Sequence, residues 1–295
     1  MPISVEEVLT QLAGSREQMD VGTPPILEMD QVTVNFGGIS ALNGITASLE
    51  VGEVMAVVGP NGAGKTTILN AVNGLIRRNT TGAVRVDGQE VLGRHPVNLA
   101  ANGIGRSFQN PAMIEDATVI ENVLVGAHRH LGYSMLDQVV RRPKVRRMEE
   151  AATARAMSVL QFVGADASAH EPVSGLPYGT RKLVDIARAL MSAPRLLLLD
   201  EPTSGLDSGE QAVVERLLLE LKRLTSVSIL LVEHHMSVVR RTADRVLGVQ
   251  AGAVLAVGSP HEVLDSDNFR AAIVGTEQSE STGEDEAQTV TTGER

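Results

Sequence analysis

The run Gly59-Pro60-Asn61-Gly62-Ala63-Gly64-Lys65-Thr66-Thr67 fits the pattern G-x-x-x-x-G-K-[ST]. It follows the apolar run Val54 to Val58 and opens the helical run Thr66 to Asn73, the context in which the pattern has chemical meaning. Glycines let successive backbone N–H groups wrap a polyphosphate, and the positive end of the helix dipole adds to the attraction. Lys65 is placed to reach the β- and γ-phosphates of a nucleotide such as ATP, and the Thr66 hydroxyl to ligate Mg²⁺. Further on, the apolar run Leu196 to Leu199 ends in Asp200-Glu201. In a parallel sheet this puts Asp200 at the carboxyl end of a strand, next to the phosphate loop, where it can hold Mg²⁺ through water. Glu201 can polarise an attacking water as general base. Any buried strand can end in acids, but the combination with a phosphate loop favours the chemical reading.

These residues need a sheet to position them, and the chain supplies its pattern. Ile26 to Val34, Ile45 to Leu49, Val54 to Val58 and Val84 to Val86 read as strands, and residues 110–193 read as mostly helical. From Arg195 on, the strands Leu196 to Leu199 and Val227 to Val232 alternate with the amphipathic helices Gly209 to Leu224 and Met236 to Thr242. Alternation of that kind implies an α/β fold with a parallel sheet covered on both faces. Residues 1–25 read as an extension: Ser4-Val5-Glu6-Glu7 is a capping-box pattern, and Val5, Val8, Leu9 and Leu12 fall on one helical face. The expectation there is a weakly docked or frayed helix, followed by a linker at Gly22-Thr23-Pro24-Pro25. The main domain spans 26–275, and the acidic, low-complexity residues 276–295 read as a disordered tail.

Composition excludes several other chemistries. None of the 295 residues is Cys, so thiolate zinc sites, iron–sulfur clusters, disulfides and cysteine nucleophiles are impossible. Apolar residues make up 43%, enough for a real core, although there are only four Phe, two Tyr and no Trp. No window approaches the roughly 20 uncharged apolar residues of a membrane span, and the N-terminus lacks the pattern of a secretory signal. The formal charge is −10, but residues 276–295 hold six acids and one base and residues 1–25 four acids and one base. The body is therefore nearly neutral, with no basic field to recruit nucleic acid.

Phosphate loop plus Asp-Glu fits several nucleotide-hydrolysing classes, and further residues choose among them. Leu176-Pro177-Tyr178-Gly179-Thr180, followed by Arg181 to Leu190 ending Ile-Ala-Arg-Ala-Leu, aligns without a gap to the signature region of ABC-type ATPases. Gln109 in Ser107-Phe108-Gln109-Asn110 resembles their Q-loop, and Ser204-Gly205-Leu206-Asp207 their D-loop. His234 matches the switch histidine and Phe36 the aromatic that stacks on adenine. The chain is thus identified as a member of the ABC ATPases. The resemblance implies a P-loop NTPase of ABC type: a mostly parallel core sheet, an antiparallel β subdomain and a helical subdomain at about 110–193.

It also implies roles. ATP would lie between Phe36 and residues 59–67 of one subunit and residues 176–180, with Asp207, of another. Glu201, His234 and Gln109 would organise hydrolysis, with Thr66, Gln109 and Asp200 around Mg²⁺. The signature departs from the common form, because Pro177 has neither a hydroxyl nor an N–H where Ser is usual. The N–H groups of Tyr178 and Gly179 and the Thr180 hydroxyl remain as donors. One reading is a degenerate half-site with slow turnover. The favoured reading is a subgroup variant, because ATP-binding subunits of branched-chain amino-acid importers carry L-x-Y-G signatures. That subgroup is also similar in Phe36-Gly37-Gly38-Ile39-Ser40-Ala41-Leu42, in Arg106-Ser107-Phe108-Gln109 and in Thr118 to Val123, although Asp207 stands where it often has Asn.

The resemblance implies membrane permease subunits, a second ABC ATPase (a copy or a paralogue) and, indirectly, a solute-binding protein as partners, at the cytoplasmic face of the plasma membrane. The rival is a non-transport ABC ATPase acting on nucleic acid or ribosomes; such proteins usually carry two ATPase modules, long coiled coils or zinc modules, and none is evident here. The basic run Arg141-Arg142-Pro143-Lys144-Val145-Arg146-Arg147 reads as a solvated helix entry in which Arg146 pairs with Glu150, with an anionic membrane surface as the alternative. His234-His235 is not expected to bind metal, since neighbours in sequence point apart and no third ligand is near. His128 and His130 read as exposed helical surface.

Overall fold

The computed structural model describes residues 4–13, 24–94, 103–127 and 143–273. His128, His130, Arg141, Arg142, Gly22, Thr23 and the acidic tail lie outside them. Two sheets organise the fold. Strands β1 (Leu27–Phe36), β2 (Ile39–Leu49), β4 (Thr80–Val86) and β5 (Gln89–Glu90) form an antiparallel sheet in the order β2-β1-β4-β5. Strands β3 (Val54–Val58), β6 (Ile104–Arg106), β7 (Leu196–Asp200), β8 (Ser228–Val232), β9 (Arg245–Gln250) and β10 (Ala253–Gly258) form the second, in the order β10-β9-β3-β8-β7-β6. All its pairings are parallel except β10 with β9.

The continuous apolar runs of β3, β7 and β8 have their physical reason in this sheet, for every residue in them is buried. Successive side chains point to opposite faces. Met55, Val57, Leu196, Leu198, Leu230 and Val232 pack toward helix α2 (Lys65–Val72) and the antiparallel sheet. Val54, Ala56, Leu197, Leu199, Ile229 and Leu231 join the core on the other face. Helices α3 (Val119–Val125), α4 (Pro143–Val163), α5 (Tyr178–Leu190) and α6 (Ser208–Leu224) contribute to that second core, with the short helices α7 (Met236–Thr242) and α8 (Pro260–Leu264) after them. Local signals set several boundaries: Thr118 with Glu121 and Asp207 with Glu210 form capping boxes that start α3 and α6.

Two expectations change. Helix α1 (Val5–Ala13) is docked, not frayed: Val8 and Leu12 are 0% and 4% exposed and belong to the main core beside α4. The Leu12 carbonyl accepts from both N–H and hydroxyl of Ser226 at 3.3 Å. The spacing of Val8 and Leu12 gave a face, and the tertiary fold provided the surface that covers it. Second, β9 and β10 form an antiparallel hairpin that the strand pattern did not show. Its turn at Ala251-Gly252 has both residues at positive φ, as a two-residue hairpin requires, without the Asn-Gly pair that usually betrays one.

Candidate nucleotide site

The loop between β3 and α2 carries residues 59–67, and its glycines are dictated by neighbours. At Gly64, φ is 102° and a Cβ would stand 2.6 Å from the Ala41 carbonyl oxygen and 2.8 Å from Leu42 Cδ2. At Gly59 a Cβ would collide with the Val249 carbonyl. The start of β2 thus packs directly on the loop, and the same hairpin presents Phe36, exposed at the end of β1. Lys65 is buried at the start of α2, and its Nζ donates to the Gly59 and Pro60 carbonyls at 2.9 Å each. Burial lowers its pKa, opposed by the nearby charges of Glu201 and Asp200.

Strand β8 lies between β3 and β7, so Asp200 is one strand further from the loop than adjacency would place it. The Thr66 hydroxyl nevertheless reaches Asp200 Oδ1 at 3.4 Å. Asp200 Oδ2 meets Arg106 Nη2 at 3.3 Å in a buried pair. For both partners burial is the largest influence, raising the Asp200 pKa and lowering that of Arg106, and their mutual attraction only opposes it.

Glu201 follows with φ 49°, an uncommon backbone for a non-glycine residue and a strain that functional turns often store. Its carboxylate gathers the other expected residues: Gln109 Nε2 donates to Oε2 at 2.8 Å, and His234 Nδ1 stands 3.8 Å from the same oxygen. Thr66, Asp200, Glu201, Gln109 and His234 therefore form one cluster at the phosphate loop.

The signature residues take a separate place. Pro177 is the N-cap of α5, so the N–H groups of Tyr178, Gly179 and Thr180 occupy the first turn, where no intrahelical acceptor exists. Among the described residues no hydrogen bond joins 176–180 to 59–67. The Tyr178 hydroxyl instead donates to the Gln109 carbonyl at 3.3 Å. Asp207 caps α6, accepting from Glu210 N at 2.8 Å.

Several residues of this region escaped the sequence reading. Buried Glu233 accepts from the Thr203 N–H at 3.1 Å and the Thr203 hydroxyl, and its Oε2 accepts from His234 N and His235 N at 2.9 and 3.1 Å. The Thr203 hydroxyl also contacts His235 Nδ1 at 2.8 Å. Glu233 follows the apolar strand β8 just as Asp200 closes β7, a signal that was available. One expectation is corrected here: the imidazoles of His234 and His235 do not diverge. Their centroids are 4.2 Å apart, inclined by 39°, and with Glu233 they bring ligand atoms within 4.8 Å of one another. Both Glu233 oxygens are already engaged by the bonds above. Elsewhere Arg146 Nε donates to Glu150 at 2.9 Å on the exposed face of α4, the expected pairing.

Oxygen donors from Thr66, Asp200 and Gln109 are the kind of set that suits a hard divalent cation such as Mg²⁺, and a buried carboxylate with only one strong partner can accept further positive charge.

Comparison with known proteins shows the family. A family model described as ABC transporter matches residues 42–204. The high-affinity branched-chain amino acid transport ATP-binding protein BraF of Pseudomonas aeruginosa is 37% identical over 251 residues, 85% of this chain and 98% of its own. The ADP conformation of MJ1267, an ATP-binding cassette of an ABC transporter, superimposes with a TM-score of 0.74 at 29% identity, covering 86% of this chain and all of that one. A dimeric post-hydrolysis structure of the cassette MJ0796 with ADP and Pi gives 0.68 at 26% identity, covering 79% and 98%. The family model, and a match to BraF that runs along most of both chains, place this chain in the ABC transporter family.

Proposed function

We propose that the chain is the ATP-hydrolysing motor subunit of an importer for branched-chain or other hydrophobic amino acids. The observation that carries the hydrolytic part is the convergence of Gln109 and His234 on Glu201, beside Thr66 and Asp200. The backbone N–H groups of residues 59–67 wrap the phosphates of ATP, and adenine stacks on Phe36. Lys65 exchanges two neutral carbonyl acceptors for charged phosphate oxygens, a stronger bond. Glu201 takes the proton of the attacking water, and His234 holds the γ-phosphate. Thr66, Asp200 and Gln109 would hold Mg²⁺, which neutralises charge developing on the phosphates.

A second subunit, a copy or a paralogue, completes the site with its residues 176–180 and Asp207; the dimeric state of MJ0796 supports that arrangement. The N–H groups of Tyr178 and Gly179 and the Thr180 hydroxyl take the role that Pro177 cannot. Residues 26–275 form the ATPase domain, with the helical subdomain at about 110–193, residues 1–25 an extension and 276–295 a tail. Permease subunits at the cytoplasmic face of the plasma membrane receive the motion, and a solute-binding protein delivers the solute. No described helix is long and apolar enough to cross a membrane, which fits a peripheral subunit. The likeness to BraF supports the amino-acid class and disfavours the nucleic-acid rival.

Glu201→Gln tests the mechanism. ATP binding is retained, kcat falls by about 10²- to 10⁴-fold, the range of general-base catalysis, and a closed dimer accumulates. Substantial steady-state hydrolysis by this variant would remove Glu201 from its role. Co-purification with a polytopic membrane protein supports the motor, and salt-sensitive binding to DNA or RNA supports the rival.

A further inference from the structure

Lys182 is an anomaly on α5. It is 2% exposed, in a position where a lysine is rare unless its charge is answered. Its ammonium donates to two backbone carbonyls, those of Gln109 and Glu201, the latter at 3.1 Å. It also stands 5.5 Å from the centre of the Tyr178 ring, one turn earlier on the same face. The negative charges of Asp185, Glu201, Glu233 and Asp200 all favour its charged form, against the burial that disfavours it. One turn later, Asp185 accepts from Phe108 N at 2.8 Å and pairs with Arg188. Helix α5 therefore grips residues 108 and 109 through Tyr178, Lys182 and Asp185, and it holds Glu201 through Lys182 alone.

Part of its value is stability, since an apolar side chain in its place would strip both carbonyls of a donor. What the ammonium adds is a tie among three segments that otherwise belong to different sites. On the nucleotide-site reading above, Gln109 and Glu201 face the nucleotide of their own subunit, whereas the start of α5 faces the nucleotide held by the other.

We propose that Lys182 is a positioning residue that makes the signature segment at the start of α5 respond to the nucleotide bound in its own subunit. The inference rests on the nucleotide-site reading above. When ATP and its metal draw Gln109 away from Glu201, the two carbonyls move. The ammonium has to follow, because leaving it unpaired in a desolvated place is expensive. Lys182 thereby displaces the first turn of α5, whose N–H groups grip the partner's nucleotide, and links the two ATP sites of a dimer.

The test is hydrogen–deuterium exchange on the full chain with and without a Mg²⁺–ATP analogue carrying a β,γ-imido bridge. In the wild-type protein the analogue slows exchange by about an order of magnitude at residues 59–67 and changes it at 178–183. Lys182→Met keeps the response at 59–67 and loses that at 178–183, and Lys182→Arg, which still donates, restores it. Lys182→Gln, polar but too short to bridge both carbonyls, shows the same loss and serves if the Met variant does not fold. An undiminished response at 178–183 in Lys182→Met or Lys182→Gln overturns the inference, as does its absence from the wild type. Failure of protection at 59–67 in the wild type would instead overturn the nucleotide-site reading itself.

Discussion

Removing Arg106 should expose how much of the Asp200 carboxylate's ionisation the fold has to support. The Arg106 and Asp200 side chains are 5% and 4% exposed and meet at 3.3 Å. At an effective dielectric constant of about 20, that separation corresponds to an attraction of about 5 kcal/mol, most of it offset by the cost of burying both charges. Among the described residues Arg106 Nε and Nη1 are buried without a hydrogen-bond partner, although the centre of the Phe108 ring lies 4.8 Å from the guanidinium carbon. Arg106→Met leaves the Asp200 carboxylate buried with the Thr66 hydroxyl, at 3.4 Å, as its hydrogen-bond partner among the described residues, and Asp200→Asn strands the guanidinium. Each single variant should lose about 3–5 kcal/mol. The double variant removes both charges and should lose much less than the sum. Urea unfolding of all four proteins at pH 7 measures the cycle. If either single substitution costs less than about 1 kcal/mol, the magnitude of a surface pair, or if the two costs simply add, the buried-pair reasoning is wrong.

Other perturbations address separate parts of the molecule. Lys65→Ala should lose most nucleotide affinity with little change in melting temperature, and unchanged binding of a fluorescent ATP analogue would contradict the phosphate-loop assignment. Leu12→Ala should cost about 2–5 kcal/mol in urea unfolding, because Leu12 is core; a loss below about 0.5 kcal/mol would show α1 to be weakly docked after all. Burial raises the Glu53 carboxyl above its ordinary 4.5, outweighing the backbone bond from Glu50 and the charge of Arg245. Between 4.5 and that higher value the native state holds a proton the unfolded chain has released. Glu53 therefore contributes stability at low pH that is lost as pH rises through its native pKa. Glu53→Gln should flatten that part of the stability–pH curve, and parallel curves for variant and wild type would refute the shift.

Much of the candidate site at the phosphate loop was legible because the proposed chemistry demands particular residues at contiguous positions. A phosphate cradle needs glycines and a lysine in a fixed order, and the acids Asp200 and Glu201 end a strand whose burial shows as an unbroken apolar run. Unbroken apolar runs marked the central strands and helical periodicity the long helices, since both are written locally. What the sequence could not reveal depends on residues far apart in the chain meeting in space. The sheet order that inserts β8 between β3 and β7 is one such case. The covering of Val8 and Leu12 is another: their spacing shows a face, but only packing beside α4 and the Ser226 segment makes it core. The buried charges Arg106, Lys182 and Glu233 are the clearest examples, because a charged letter reads as solvent-facing until its partners are known. The sequence by itself determined which groups are candidates to bind and cleave. Tertiary structure decided how those groups are held, because burial converts ordinary ionic and hydrogen-bonding side chains into fixed connections between loops that the chain order keeps apart.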